Sequence, residues 1–304
     1  LWKSSVYNDS SLISSLTHSG SGGCIYVNRG SLTLINATVR YCIATAQGNN
    51  SSSIGGGGGI FSSKSKIHLN NVNIIKNQAA NGGGILAVKG SEITFEKGTK
   101  TNIFQNKLTE LSATMTEKPT KIIKSNNGGG MYLINSNINI SGTNTTLILR
   151  DNGGSYTYQS DGSACSLLMS HMYIFNGGHV IIDSNQNGYL GTLKLAYPNY
   201  YNVTTTSSNS LTSLHVEGVG STLTITNNDA CIGGGIATDG QDQHVHDGVD
   251  NDVESNNYVH FISINVYNGG KISMSNNTAT CNKYLTKETG ILGNGGAIHL
   301  YKST

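Results

Sequence analysis

The 304 residues carry only 12% charged side chains, 39 glycines and two prolines, and Asn, Ser and Thr together fill about a third of the chain. A formal charge of +2 spread over 19 basic and 17 acidic residues, with no basic run and no basic–aromatic patch, argues against nucleic acid as a partner, and no apolar stretch reaches the ~20 residues of a membrane-spanning helix. So little proline excludes a Pro-rich stalk and collagen, whereas 36% hydrophobic residues rich in Ile and Val can build a core if they fall at regular positions.

In chain order, residues 1–21 read as an N-terminal flank or cap, and 22–304 as one repeat domain of roughly seven to eight units whose last unit is incomplete. A Gly-Gly-x-apolar tetrad marks the units. It occurs as Gly22-Gly23-Cys24-Ile25, Gly58-Gly59-Ile60, Gly82-Gly83-Gly84-Ile85, Gly128-Gly129-Gly130-Met131, Gly177-Gly178-His179-Val180, Gly233-Gly234-Gly235-Ile236 and Gly295-Gly296-Ala297-Ile298. An apolar-x-x-Asn mark alternates with it: Ile74 to Asn77, Ile103 to Asn106, Leu149 to Asn152, Ile182 to Asn185, Ile225 to Asn228 and Met274 to Asn277. Between the marks lie period-two segments opened by Gly, such as Gly30-Ser31-Leu32-Thr33-Leu34, Gly90 to Phe95, Gly220 to Ile225 and Gly270 to Met274, the pattern of half-buried strands. Each unit thus reads as strand, glycine turn, strand, asparagine turn.

Helices are excluded by the glycine density, at about 1 kcal/mol per Gly relative to Ala. Hairpins lack their two-residue Asn-Gly turns. Strands this short must pair with their equivalents in the next unit, which predicts an all-β fold, a parallel β-helix or β-solenoid, right-handed by the general preference for right-handed parallel crossovers. The stretches Ala44–Ile54, Leu108–Asn127, Ser155–Asn176, Gly188–Val216, Asp239–His260 and Asn282–Asn294 read as insertions, most of them after the Asn mark. Loop insertions are therefore expected largely on one side, where binding commonly happens.

Alternating Gly-Gly-Ala-Ile and Phe-x-x-Asn tetrads are the hallmark of the polymorphic outer-membrane protein (Pmp) repeats, and the stretch from Gly22 to Ile298 resembles that family, best at Met274-Ser275-Asn276-Asn277 followed by Gly295-Gly296-Ala297-Ile298. Ile, Leu or Met mostly stands where the family has Phe. The resemblance implies a surface-exposed β-helical passenger with adhesive or structural work and no catalytic residues to carry over. The expected repeat marks are Gly83, Gly234 and Gly296 with Asn77, Asn106, Asn152, Asn185, Asn228 and Asn277, all structural.

Many β-helices act on polysaccharides, which needs convergent carboxylates or a calcium-binding acidic cluster with a basic partner. Asp151, Asp183 and Asp229 flank Asn marks, Glu92 and Glu96 follow Gly90, and arginine occurs only as Arg29, Arg40 and Arg150. Turn use of these aspartates is the preferred reading, so no catalytic residue is assigned and a polysaccharide lyase or hydrolase is the alternative. Asp242, His244, His246 and Asp247 could hold Ca²⁺ or Zn²⁺, though a solvated acidic loop explains them too; otherwise no cofactor is expected. Asn-x-Ser/Thr sequons start at Asn8, Asn36, Asn49, Asn50, Asn139, Asn144, Asn202 and Asn276. Cys231 and Cys281 follow successive Asn marks, a candidate disulfide between adjacent rungs. Tyrosines cluster at Tyr156, Tyr158 and Tyr173 and at Tyr189, Tyr197, Tyr200 and Tyr201, suited either to partner contact or to pinning loops.

The expected function is an extracellular or cell-surface structural and adhesive rod. Its expected partners are a second copy of itself, joined through the incomplete unit opened at Gly295, or a host or matrix protein or glycan.

Overall fold

The computed structural model describes residues 21–44, 56–108, 126–153, 160–186, 188–196, 212–239, 262–280 and 296–299. Within them every sheet is parallel and no helix occurs. Three long sheets share one coil. The first contains Ile25–Asn28, Ile60–Ser63, Ile85–Val88, Met131–Ile134, Cys165–Leu168, Leu193–Ala196, Ile236–Asp239 and Ile298–His299. The second contains Ser31–Ile35, Lys66–Asn70, Glu92–Phe95, Asn137–Ser141, His171–Phe175, Thr212–Glu217 and Ile262–Tyr267. The third contains Thr38–Arg40, Asn73–Ile75, Lys100–Phe104, Thr146–Arg150, His179–Asp183, Thr222–Thr226 and Lys271–Ser275. The chain visits them in rotation, so each strand pairs with its equivalent one rung away, as in a β-solenoid.

Alternation decides what faces inward. Leu32, Ile67, Ile93, Ile138, Met172, Leu214 and Ile264 stand in one column by register, and Val39, Ile74, Ile103, Leu149, Ile182, Ile225 and Met274 in another. These columns fuse into one core running along the axis. In its early rungs the first sheet is largely apolar on both faces: Phe61, Leu86, Val88 and Tyr132 form a second buried cluster on its outer side, and Tyr26 stacks on Phe61 at 4.9 Å. Continuous runs such as Ile85-Leu86-Ala87-Val88 are the sequence form of a strand buried on both sides.

The corners explain the two sequence marks. In the tetrad the first Gly has positive φ, as at Gly82 (57°) and Gly128 (66°). The second lies against the backbone of the next rung: a Cβ on Gly83 would stand 2.5 Å from the carbonyl oxygens of Gly129 and Lys107, and one on Gly234 would stand 2.1 Å from the carbonyl oxygen of Thr278. At the other corner the residue before each marked Asn has positive φ, which turns the backbone out of the ladder, and the Asn side chain points inward to replace the lost bonds. Asn106 is fully buried. Its Oδ1 accepts from the Asn77 backbone N–H (3.0 Å) and the Asn77 side-chain amide (3.0 Å), while its Nδ2 donates to the Ile74 carbonyl (2.9 Å) and to Asn152 Oδ1 (3.1 Å). Both donors and both lone pairs of the amide are thereby used. The pattern repeats through Asn152, Asn185 and Asn228 to Asn277.

A serine column does the same at the corner after the first sheet, where Ser65, Ser91, Ser136 and Ser170 each receive a backbone N–H from the preceding rung. In the first rung Cys42 occupies the Asn position and donates its N–H to Asn77 Oδ1 at 3.0 Å. Cys24 occupies the position held by Gly59 and Gly84 in the next two rungs, where an added Cβ would meet Asn77 and Asn106 respectively. Cys24 and Cys42 are joined in a disulfide, a covalent bond where later rungs have a glycine–asparagine contact.

Several sequence expectations need correction. A unit has three long strands, not two. Gly177-Gly178-His179-Val180 is not a tetrad of the first corner but the turn into the third sheet; the corresponding turns are Gly162-Ser163-Ala164-Cys165 and the shorter Gly191-Thr192-Leu193, where Thr192 Oγ1 bonds the Gly234 carbonyl at 2.7 Å. Gly220 and Gly270 open third-sheet strands, whereas Gly30 and Gly90 open second-sheet ones. The supposed insertions Ser155–Asn176 and Gly188–Val216 hold regular strands of the fifth and sixth rungs. The described strands are interrupted at two places in the coil: residues 45–55, 109–125, 154–159 and 281–295 precede a first-sheet strand, whereas 197–211 and 240–261 follow one.

Replacing Asn106 by Ala leaves the Asn77 N–H unbonded in a dry corner and takes the side-chain donor from the Ile74 carbonyl. The expected cost is roughly 3 kcal/mol, read as a lowered urea midpoint with unchanged slope. Asn106→Asp keeps the acceptor and loses the donors, so its buried carboxyl favours the protonated form. That raised folded pKa makes the variant more stable at pH 4.5 than at pH 7, opposite to the parent; no such reversal would mean that the corner is open to water.

Candidate functional site

The outer face of the second sheet is the most differentiated surface among the described residues. Alternation turns one residue in two outward, and stacking places equivalents in columns with about 4.8 Å between rungs. One column runs Ser31, Lys66, Glu92, Asn137, His171, Ser213, Ser263, and its neighbour Thr33, His68, Thr94, Asn139, Tyr173, His215, Asn265. In the early rungs the columns are tied by polar pairs: His68 Nδ1 meets Thr94 Oγ1 at 3.0 Å, His68 Nε2 meets Glu96 at 2.8 Å, and Asn139 donates to Glu92 at 2.8 Å.

From the fifth rung the face turns aromatic. Tyr173 stacks on His215 with ring centroids 4.9 Å apart and lies 5.7 Å from His171, and His215 meets the edge of Tyr267 at 6.4 Å. Ser213 Oγ, fully buried, sits between His171 Nδ1 (2.6 Å) and His215 Nε2 (2.8 Å). One hydroxyl can donate to one imidazole and accept from the other, a pairing that suits two neutral rings. The Tyr267 hydroxyl donates to Glu217 at 3.0 Å, and the Asn268 amide donates to the other Glu217 oxygen at 3.2 Å. His215 Nδ1 is buried without a partner. Burial lowers the pKa of His171 below the ordinary imidazole value, and the facing His215 lowers it further. Burial likewise lowers His215, against the opposing pull of Glu217.

The remaining candidates are placed as follows. Asp151 stands before its Asn, at the positive-φ turn. Asp183 ends its strand beside Arg150 and accepts from Thr226 (2.8 Å), Asn227 (2.9 Å) and Ser184 (3.1 Å). Burial would raise its pKa, but those bonds and the Arg150 charge outweigh it and hold the carboxyl below its ordinary value. Asp229 accepts from Thr278 at 2.8 Å and from Thr280. The two carboxylates, Asp183 and Asp229, thus tie rung to rung. Among the described residues no group of three His, Cys, Asp or Glu is placed to hold a metal; Asp242, His244, His246 and Asp247 lie outside the described residues.

Of the sequons, Asn36, Asn144 and Asn276 are exposed at positive-φ turns, whereas Asn139 is half-buried in mid-strand with its amide bound to Glu92. Asn8, Asn49, Asn50 and Asn202 lie outside the described residues. Cys231 is disulfide-bonded; Cys281, its expected partner, lies outside them. Cys165 is a free thiol buried in the core, its pKa pushed up to about 12 by desolvation. Tyr173 belongs to the solenoid wall and not to an insertion; Tyr156, Tyr158, Tyr197, Tyr200 and Tyr201 lie outside the described residues. The histidines of this surface were missed in the sequence, although the alternating His171-Met172-Tyr173-Ile174-Phe175 carries the signal. No protein-family model, no curated protein and no solved structure matches this chain.

Both histidines have folded pKa values below their unfolded ones, so the unfolded chain binds more protons across that interval. Stability is full above about pH 6.5 and falls as the pH drops through the folded values. Asp183 adds a separate loss below about pH 4. Urea midpoints measured from pH 7.5 to 5 should decline, and the His171→Gln/His215→Gln double variant should decline less; an unchanged slope would place the titration elsewhere.

Proposed function

We propose that the chain is an extracellular or cell-surface rod of right-handed sense whose work is structural and adhesive, in the manner of Pmp-like passenger repeats. The observation that carries the reading is the aromatic surface of rungs five to seven: Tyr173, His171, His215 and Tyr267 on the outer wall of a stiff stack. Rigid rings with polar edges give contact area at small entropic cost, the composition of recognition surfaces for proteins and glycans. Tyr267 is 41% exposed, and the strand register beneath holds the rings in one run across neighbouring rungs.

Two further features support the reading. The Cys24–Cys42 bond and the bonded Cys231 fit an oxidising compartment. The Gly and Asn marks, which resemble those of Pmp repeats, build the stiff stack that displays these rings.

The test is surface plasmon resonance of the intact protein over immobilised matrix proteins and glycans. Saturable binding is expected, weakened at least tenfold in the Tyr173→Ala/Tyr267→Ala variant with an unchanged melting temperature. Binding indifferent to that variant would remove the surface from the account. Release of reducing ends from a polysaccharide panel would assign a carbohydrate-active enzyme instead.

A further inference from the structure

The inward turn of each marked residue has a consequence for the outside of the same corner. Because Cys42, Asn77, Asn106 and Asn152 point into the core, the residues on either side of them splay outward and leave a groove parallel to the rod axis. One wall is the column Tyr41, Lys76, Gln105, Asp151, each at a positive φ between 51° and 59°. The other is the column Ile43, Gln78, Lys107, Gly153. The groove is open to solvent, with a volume of about 640 Å³, and is lined by Tyr41, Lys76, Gln78, Gln105, Lys107 and Asp151. At about 4.8 Å per rung, its four rungs span roughly 14 Å.

Its chemistry is specific. Arg40 and Arg150 belong to one register column at the rim, separated by Ile75 and Phe104, so four cations flank the groove. Tyr41 is 62% exposed, with the Arg40 guanidinium 5.6 Å and the Lys76 ammonium 5.8 Å from its ring centre; Arg150 lies 5.0 Å from the Phe104 ring. The two cations orient the tyrosine ring, and its exposed part is left to a ligand. The two glutamine amides offer both donors and acceptors beside the lysines. Beyond the fourth rung the same columns carry Ser184 and Asn227, Gln186 and Asp229, with Asp183 at the rim, so the positive stretch has an end.

We infer that this groove binds an anionic oligosaccharide, a short chain of sugars bearing carboxylate or sulfate groups, laid along the rod axis over rungs one to four. The exposed part of the Tyr41 ring packs on a sugar ring, Lys76, Lys107 and Arg40 neutralise its acid groups, and Gln78, Gln105 and Asp151 bond its hydroxyls. One exposed ring in the groove is too few for a run of stacked bases, which argues against single-stranded nucleic acid. The inference rests on the reading of the rod as a binding scaffold, but it uses a different wall from the Tyr173–Tyr267 surface.

The test is isothermal titration of the intact chain with four probes: a sulfated hexasaccharide, a galacturonate hexasaccharide, neutral maltohexaose and a single-stranded DNA hexamer. Binding of at least one acidic sugar is expected, with the preferred one identifying the acid group. Neutral sugar should not bind, and DNA should bind at least tenfold more weakly. Lys76→Glu/Lys107→Glu should abolish binding and Tyr41→Ala weaken it severalfold, both with unchanged melting temperature, since these side chains are exposed. Failure of both acidic sugars, indifference to charge reversal, or DNA binding as tight as sugar would overturn the inference. If any of these occurs while Tyr173/Tyr267-dependent binding persists, the groove alone is wrong and the proposed function stands.

Discussion

A coil of short strands must turn a corner three times per rung, and each turn takes backbone donors and acceptors out of the ladder, at the asparagine corner in a place water cannot reach. An unbonded buried backbone group costs about 1–3 kcal/mol, and seven rungs repeat the problem. The asparagine column resolves it at one corner. Asparagine suits the position because a primary amide has two donors and two lone pairs in one plane, and each amide in the stack spends them on the preceding rung and on the next. Aspartate lacks the donors and serine lacks the reach. The serine column, with one hydroxyl per rung, suffices where the backbone passes closer.

That constraint explains which parts of the fold were legible from sequence. The Asn marks, the close-packed second glycines and the alternating apolar residues recur because the corner chemistry is the same in every rung, so their periodicity could be read directly. The third strand was not, because two of the three corners begin with glycine: Gly90 before Glu92–Phe95 and Gly220 before Thr222–Thr226 look alike in sequence yet lead into different sheets. The first-sheet turns of rungs five and six escaped notice because Ser163-Ala164 and Thr192 replace the double glycine, although Asn185 and Asn228 marked both rungs. Ala164 is fully buried where other rungs have glycine, and Thr192 bonds the Gly234 carbonyl through its hydroxyl.

The candidate surfaces were less legible, for a physical reason. Function on a solenoid wall comes from residues about 25 to 50 positions apart in sequence that stacking makes neighbours, as with His171, Ser213 and Tyr267, or Tyr41, Lys76 and Lys107. Arg40 and Arg150 look isolated in the chain, too sparse for an acidic ligand, yet register places them in one column. The inward Asn that stabilises the corner also opens the groove between its outward neighbours. Scaffold and surface are therefore set by the same turn.

The central claim is that the side-chain ladder, and not only the strands, seals the corners. Residue-resolved hydrogen exchange of the native protein tests it most directly at the backbone amides of Asn77, Asn106, Asn152, Asn185 and Asn228, which donate to side-chain oxygens rather than to strand carbonyls. Protection equal to that of strand amides such as Ile103 and Leu149 is the predicted result. Exchange at these five positions as fast as in exposed turns, with the strands still protected, would contradict it.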